Sequence, residues 1–188
     1  MKKFDFSVEV CLGFHCSGQG EYTVGNGTVE LEDTQVNRLV SLIRESGGET
    51  DVEKLSLEEK LPDVYEALDG ACWEAASEAC HRHWVLNGYY CGYFEEKDGL
   101  MESLEEAGAF KYSPESPVED GEDVDEDAKE DAFREWLDGW FDSLSEEEQV
   151  SFIEDNYDGL EDDGDPGMYD YDVVIPQGIV NLAGGAAK

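Results

Sequence analysis

Five cysteines and three histidines are the side chains of this sequence best suited to binding a metal or acting as nucleophiles. The cysteines are Cys11, Cys16, Cys72, Cys80 and Cys91, and the histidines, each within three positions of a cysteine, are His15, His81 and His83. Residues three apart share a helix face, so Cys80 and His83 could bind zinc together with Cys91 and one of the first two cysteines. No two cysteines have the C-x-x-C spacing, and free thiols are common in protein cores. Core packing is therefore the favoured interpretation, with a zinc site as the open alternative.

The same residues supply the only nucleophile and base that an enzyme could use, namely Cys80 or Cys91 with His83. A surrounding net charge of −36 raises the pKa of a thiol, which disfavours the reactive thiolate. The sequence has no glycine-rich phosphate loop, no H-E-x-x-H and no G-x-S-x-G motif. We therefore predict a protein that is not an enzyme and that has no catalytic residues and no cofactor.

A second group that could attract a cation is a set of aspartates near the end of the chain: Asp162, Asp163, Asp165, Asp170 and Asp172. An EF-hand calcium loop needs acidic residues at its first, third and fifth positions, then glycine and a distal glutamate. No window of this sequence has that pattern. The aspartates therefore predict no dedicated metal site.

Charge is the most unusual property of the chain. Of its 188 residues, 48 are Asp or Glu and 12 are Lys or Arg, which gives a formal net charge of −36. Residues 113–172 hold 25 of the acidic and 2 of the basic residues. Because so acidic a chain repels phosphate, direct binding to nucleic acid or to an anionic membrane surface is excluded. No apolar run approaches the ~20 residues of a membrane-spanning helix.

The start of the chain and its cysteines predict where the protein works. The first six residues alternate between polar and apolar and do not resemble a signal peptide. An odd number of irregularly spaced cysteines is typical of reduced thiols. We therefore expect a cytoplasmic protein.

The first fifty residues predict a small antiparallel sheet covered by a helix. Apolar and polar residues alternate from Phe4 to Val10, which is the period of a half-buried strand. Residues 25–27, with the sequence Gly-Asn-Gly, separate two short apolar segments and predict a tight hairpin turn. Residues 36–43 carry apolar side chains at helical spacing and predict the covering helix.

A long central helix and a break follow. Residues 63–87 carry apolar and small side chains on one side, which predicts a helix that another element approaches closely and that ends at Gly88. Residues 113–117, Ser-Pro-Glu-Ser-Pro, interrupt any regular element. A final strand is predicted at 171–175. The predicted domains are an α+β domain at 1–112, an acidic helical region packed on or linked to it at 113–172, and a terminal strand and tail at 173–188.

The acidic region also carries the clearest helical pattern of the chain. Apolar side chains recur at i, i+3, i+4, i+7, i+8 and i+11 from Phe133 to Leu144, which marks one face of an amphipathic helix. Ser145 and Glu148 have the capping-box spacing that opens a second helix. The predicted fold class is therefore α+β: a small N-terminal antiparallel sheet with a covering helix, a long central helix and an acidic C-terminal helical hairpin.

Carboxylates on the outer faces of these helices, and in the segment before them, are the candidate binding residues. Disordered acidic tails lack aromatic residues, whereas here a Phe-Trp-Leu-Trp-Phe pattern accompanies the acids. Duplex DNA carries one charge per ~1.7 Å of axis and a helix rises ~1.5 Å per residue, so acidic helices form a somewhat sparser rod of negative charge. The candidates are Glu119, Asp120, Glu122, Asp123, Asp125, Glu126, Asp127, Glu130, Asp131, Glu135, Asp138, Asp142, Glu146, Glu147, Glu154 and Asp155.

In size, acidity and aromatic-backed acidic helices, the chain resembles the DNA-mimic inhibitors of phages and mobile elements, which block restriction enzymes or CRISPR nucleases. The resemblance implies that the candidate carboxylates occupy the nucleic-acid groove of a basic partner such as a defence nuclease. It assigns no role to single residues, because those proteins do not share one fold. The alternative is an acidic interaction or adaptor protein that binds a basic partner.

Overall fold

The protein folds into two compact units. The computed structural model describes residues 1–14, 20–113, 126–160 and 170–184. Unit 1 comprises Met1–His83 with Asp165–Lys188, and unit 2 comprises Trp84–Gly164. The domain boundary predicted after residue 112 falls inside unit 2. That boundary follows a change in amino-acid composition, whereas the units are defined by packing, which already groups the residues from Trp84 onward with unit 2.

The secondary structure of the described residues confirms the predicted α+β class. The strands are β1 Lys2–Phe14, β2 Gly20–Leu31, β3 Glu95–Glu96, β4 Tyr157–Asp158 and β5 Asp170–Tyr171. The helices are α1 Asp33–Glu45, α2 Val52–Leu55, α3 Leu57–Lys60, α4 Pro62–Tyr90, α5 Leu100–Glu106, α6 Glu126–Phe141, α7 Glu146–Asn156 and α8 Gln177–Leu182. None of these helices combines the length and the apolar character that crossing a bilayer requires.

Unit 1 is built on a three-stranded antiparallel sheet in the order β2-β1-β5. β1 and β2 pair along almost their whole lengths. The alternation predicted for β1 is confirmed, since Val8 and Val10 are fully buried. The covering helix is confirmed as well, because the apolar positions of α1 within residues 36–43 belong to the same buried cluster as the strands.

The tight turn predicted at residues 25–27 is wrong, since these residues lie in the middle of β2. Asn26 pairs with Ser7 of β1 and accepts a hydrogen bond from its hydroxyl at 2.7 Å. Gly25 instead faces α4, where a β carbon would lie 2.3 Å from the carbonyl oxygen of Ala75. Glycine is needed here because helix and strand approach so closely, and this contact confirms the close approach predicted for the small side chains of the central helix.

Replacing Gly25 by alanine is expected to destabilise the protein by about 1–3 kcal/mol, because the added methyl group meets backbone atoms that cannot move aside cheaply. Gly70 of α4 is the matched control, since open space surrounds its β position. Gly70→Ala is expected to raise the free energy of unfolding by up to about 1 kcal/mol. Urea denaturation followed by circular dichroism measures both, and equal stabilities of the two variants would contradict the close contact.

The central helix is longer than predicted and does not end at Gly88. A β carbon on Gly88 would lie 2.5 Å from the ring of Phe94, so this glycine leaves room for an aromatic side chain of unit 2. The helix ends at Tyr90, and Gly92 then adopts a positive φ of 71° that turns the chain.

The terminal strand is shorter than the predicted 171–175. β5 contributes two residues, which pair with Val10 and Cys11 on the side of β1 away from β2. Residues 172–176 run on without a turn or bend, and α8 follows, buried through Ile179. The sequence carries no clear signal for α8, because six residues contain less than two turns of helical periodicity.

Candidate functional site

Unit 2 holds its acidic helices against an aromatic core. The apolar face predicted for α6 is confirmed, since Phe133, Leu137 and Phe141 are buried and Trp136 and Trp140 are half-buried. The rings of Trp136 and Trp140 stack with their centroids 5.3 Å apart. The opposite side of the helix is therefore left for polar side chains.

Ring contacts join α6 to its neighbours within unit 2. Trp140 meets Phe152 of α7 edge to face, with centroids 5.1 Å apart. Phe141 lies 4.4 Å from Tyr89 at the end of α4 and 5.9 Å from Phe152. Aromatic pairs of this kind contribute about 0.5–1.5 kcal/mol each beyond their buried area. The acidic helices are thus fixed by packing and do not form a loose acidic tail.

Hydrogen bonds fix the start of α7. The predicted capping box is confirmed, because the Ser145 amide donates to the Glu148 carboxylate at 2.8 Å and the Glu148 amide donates to the Ser145 hydroxyl at 3.4 Å. Bonds from the amide and hydroxyl of Ser145 lower the pKa of Glu148. The buried Gln149 side chain donates to the carbonyl oxygen of Phe141 at 3.0 Å, which ties α7 to the end of α6.

The exposed sides of α6, α7 and their connection form a surface that we call the acidic face. It consists of Glu126, Asp127, Glu130, Asp131, Glu135, Asp138, Asp142, Glu146, Glu147, Glu154 and Asp155, all of them exposed. The five remaining candidates lie outside the described residues: Glu119, Asp120, Glu122, Asp123 and Asp125. The exposure of the eleven agrees with the helical pattern of the sequence, and their role in binding stays a prediction.

Five members of the acidic face follow one another along one side of α6, and we call them the acidic stripe. They are Asp127, Asp131, Glu135, Asp138 and Asp142. Successive members are three or four residues apart, which places them on one side of a helix. At ~1.5 Å per residue, their spacing along the axis is about 4.5–6 Å and the stripe is about 22 Å long. Asp142 follows the last helical residue, but its amide still donates to the Asp138 carbonyl at 3.1 Å.

Positive charge is scarce in unit 2. The unit holds 28 acidic and 4 basic residues, so its net charge of −24 is two thirds of the total. Lys129 pairs with Glu105 at 2.7 Å, and Arg134 pairs with Glu130 at 3.3 Å. Lys97 donates to a carbonyl at the C-terminal end of α7 at 2.8 Å, where the helix dipole favours a cation. Among the described residues, no salt bridge neutralises a carboxylate of the acidic stripe.

Three exposed acidic residues beside this surface were not among the predicted candidates: Glu95, Glu96 and Asp158. The pairing of β3 with β4 places Glu95 directly opposite Asp158. Although the side chain is exposed, desolvation by neighbouring atoms raises the pKa of Glu96, an effect that Arg134 opposes and the charge of Glu130 on the acidic face reinforces. Two-residue strands have no periodic pattern, so no signal in the sequence could have placed these residues.

Cysteines and histidines do not gather into a metal site in the part of the chain that the structure describes. Cys72 and Cys80 are buried, and burial raises the pKa of Cys72, which makes it a poor nucleophile. Cys91 is exposed, and His83 Nε2 lies 3.1 Å from a carboxylate oxygen of Glu21. Outside the described residues lie His15, Cys16, Asp162, Asp163 and Asp165.

No protein-family model matches the chain, and no curated protein and no solved structure is detectably similar to it. The resemblance to DNA-mimic inhibitors stays one of charge, size and helix pattern.

Proposed function

We propose that this chain is a DNA mimic whose acidic face occupies the nucleic-acid groove of a basic partner. The partner class is a cytoplasmic defence nuclease, such as a CRISPR effector or a restriction enzyme. The observation that carries the proposal is the exposure of eleven carboxylates on two helices and their connection, which an aromatic core holds in place. An acidic coat that served only solubility would not need to be fixed in this way.

The spacing of the acidic stripe suits a groove that binds phosphates. Its carboxylates follow at about 4.5–6 Å along the helix axis, compared with ~3.4 Å per phosphate along one strand of DNA. The spacing between negative charges is therefore wider than along a DNA strand, but it is of the same order. Lys and Arg side chains are long and adjust to such differences, so a groove lined by them accepts both ligands.

The mechanism requires no bond to be made or broken. When the acidic face lies in the groove, nucleic acid is excluded sterically and by charge repulsion. The attraction between the acidic face and the groove is long-range and screened over ~10 Å at 0.1 M salt, which makes association fast at low salt. The inhibitor and the nucleic acid consequently compete for one site.

Competition against a labelled DNA duplex tests the proposal directly. The duplex is bound to a panel of restriction enzymes and CRISPR effectors, and its fluorescence anisotropy is followed as this protein is added. We expect displacement from at least one nuclease of the panel, with an inhibition constant that rises at least about tenfold between about 50 and 200 mM salt, because charge dominates the interaction.

Two outcomes of this assay favour the adaptor function instead. A ternary complex of nuclease, duplex and this protein would show that the acidic face binds outside the groove. Displacement that does not respond to salt would show that charge is not what holds the two proteins together.

A further inference from the structure

Unit 1 contains an open groove that the acidic face does not explain. It has a volume of about 1480 Å³ and lies between the one-turn helices α2 and α3 on one side and residues 170–175 with α8 on the other. Pockets for small molecules measure ~300–1,000 Å³. The groove is therefore better matched to a segment of a polypeptide than to a metabolite.

The groove has an apolar floor and an acidic rim. Half-buried side chains that line it are Val52, Tyr65, Tyr171, Val173 and Ile175. Exposed carboxylates around it are Glu53, Glu58, Glu59, Asp170 and Asp172. Arg44, the basic side chain of the described lining, donates to the carbonyl oxygens of Leu182 and Ala183 at 2.8 and 3.2 Å. A ligand of this groove therefore needs apolar groups to cover the floor and positive charge to match the rim.

The backbone along one wall of the groove is available for pairing. β5 is the last strand of its sheet, and residues 172–175 continue from it without a turn. Outside the pairing of β5 with β1, these four residues make no hydrogen bond to another backbone group of the described chain, and the amide of Val174 interacts with the Cys72 thiol. Backbone N–H and C=O groups without a hydrogen bond inside the protein need another partner, which is either water or an added strand.

We propose that this groove binds an extended peptide segment of a partner protein, rich in lysine or arginine, which pairs as an additional strand along residues 172–175. Successive side chains of an extended peptide point to opposite sides. A peptide that alternates between apolar and basic residues thus covers the floor with one set and meets the rim with the other. Strand addition of this kind draws affinity from the backbone and specificity from alternate side chains. The site lies within unit 1 and does not depend on the DNA-mimic function of unit 2.

A labelled peptide of about seven alternating lysine and valine residues is a suitable probe, since that length matches a typical strand. Fluorescence anisotropy measures its affinity for the wild-type protein and for Glu59→Lys/Asp172→Lys, which reverses one carboxylate on each side of the groove. The control is Glu74→Lys/Glu78→Lys on α4, two exposed carboxylates outside the groove and outside the acidic face, which changes the net charge equally. We expect the groove variant to weaken binding at least about tenfold and the control at most about threefold.

Backbone pairing is tested with the same peptide methylated at every second amide nitrogen, in both possible registers. Methylation leaves the charges in place and removes the donors on one edge. We expect one register to bind at least about tenfold more weakly than the unmodified peptide. Hydrogen exchange at residues 172–175 is expected to slow only with the peptides that bind. Equal losses in the groove variant and its control, or full affinity of both methylated peptides, would overturn the proposal in favour of non-specific charge attraction.

Discussion

Replacing all five carboxylates of the acidic stripe by lysine is expected to abolish the displacement of nucleic acid from the proposed partner nuclease. The change raises the net charge of unit 2 from −24 to −14 and places positive charge where the partner's groove is positive. Single exposed ion pairs contribute only about 0–1 kcal/mol, so one substitution alone is expected to have a small effect. The inhibition constant in the duplex-displacement assay measures the loss, and thermal unfolding shows whether the variant remains folded.

The matched control reverses five exposed carboxylates of unit 1 that make no hydrogen bond or salt bridge in the described structure: Glu9, Glu45, Glu66, Glu74 and Glu78. Its net charge equals that of the stripe variant. If the acidic face is the binding surface, this control keeps most of the inhibition and loses only the general attraction, at most about tenfold. Equal losses in the two variants would show that total charge, and not this surface, determines binding.

The acidic helices were predictable because the signals that form them are local. The apolar period between Phe133 and Leu144 fixes which side of α6 faces the core, and the capping box fixes where α7 begins. Once the buried side is known, the exposure of the acidic stripe follows from the helical period alone. The eleven described members of the acidic face could therefore be assigned to an outer surface from the order of residues alone.

The parts that sequence reasoning missed depend on contacts between distant residues. Gly-Asn-Gly at residues 25–27 has the composition of a hairpin turn, and its local preference is overridden by α4, which needs glycine for its close approach. Glycine is likewise typical of the position that ends a helix, but Gly88 lies inside α4, and the ring of Phe94 fills the space beside it. The sequence does not state whether a glycine serves a turn or a close contact, because either use requires only a missing side chain.

The groove of unit 1 was unpredictable for a related reason. Its rim combines residues of α2 and α3 with residues of β5 and the segment after it, more than one hundred positions further along the chain. In the sequence, the carboxylates at 53–59 are ordinary exposed residues of short helices. Only the pairing of β5 with β1 brings Asp170 and Asp172 to the opposite side of the same groove.

Phe141→Ala is expected to have the largest effect on stability in unit 2. This ring is 1% exposed and contacts Tyr89 of α4 and Phe152 of α7, so its loss opens a cavity where three helices meet. Large-to-small changes of a buried phenylalanine cost about 3–5 kcal/mol. In a unit of this size, that loss lowers the melting temperature by more than about 10 °C.

The control for Phe141→Ala is Tyr93→Ala, which removes an aromatic ring that is 63% exposed in the same unit. Differential scanning calorimetry is expected to show a large fall in melting temperature for the first variant and a small one for the second. Both variants retain every carboxylate. If the aromatic core of unit 2 matters as much as the charge, the Phe141→Ala variant loses inhibition above its own melting temperature. The Tyr93→Ala variant is expected still to inhibit at that temperature. Full inhibition by the unfolded Phe141→Ala variant would show that a disordered acidic chain suffices and that the aromatic core has no part in mimicry.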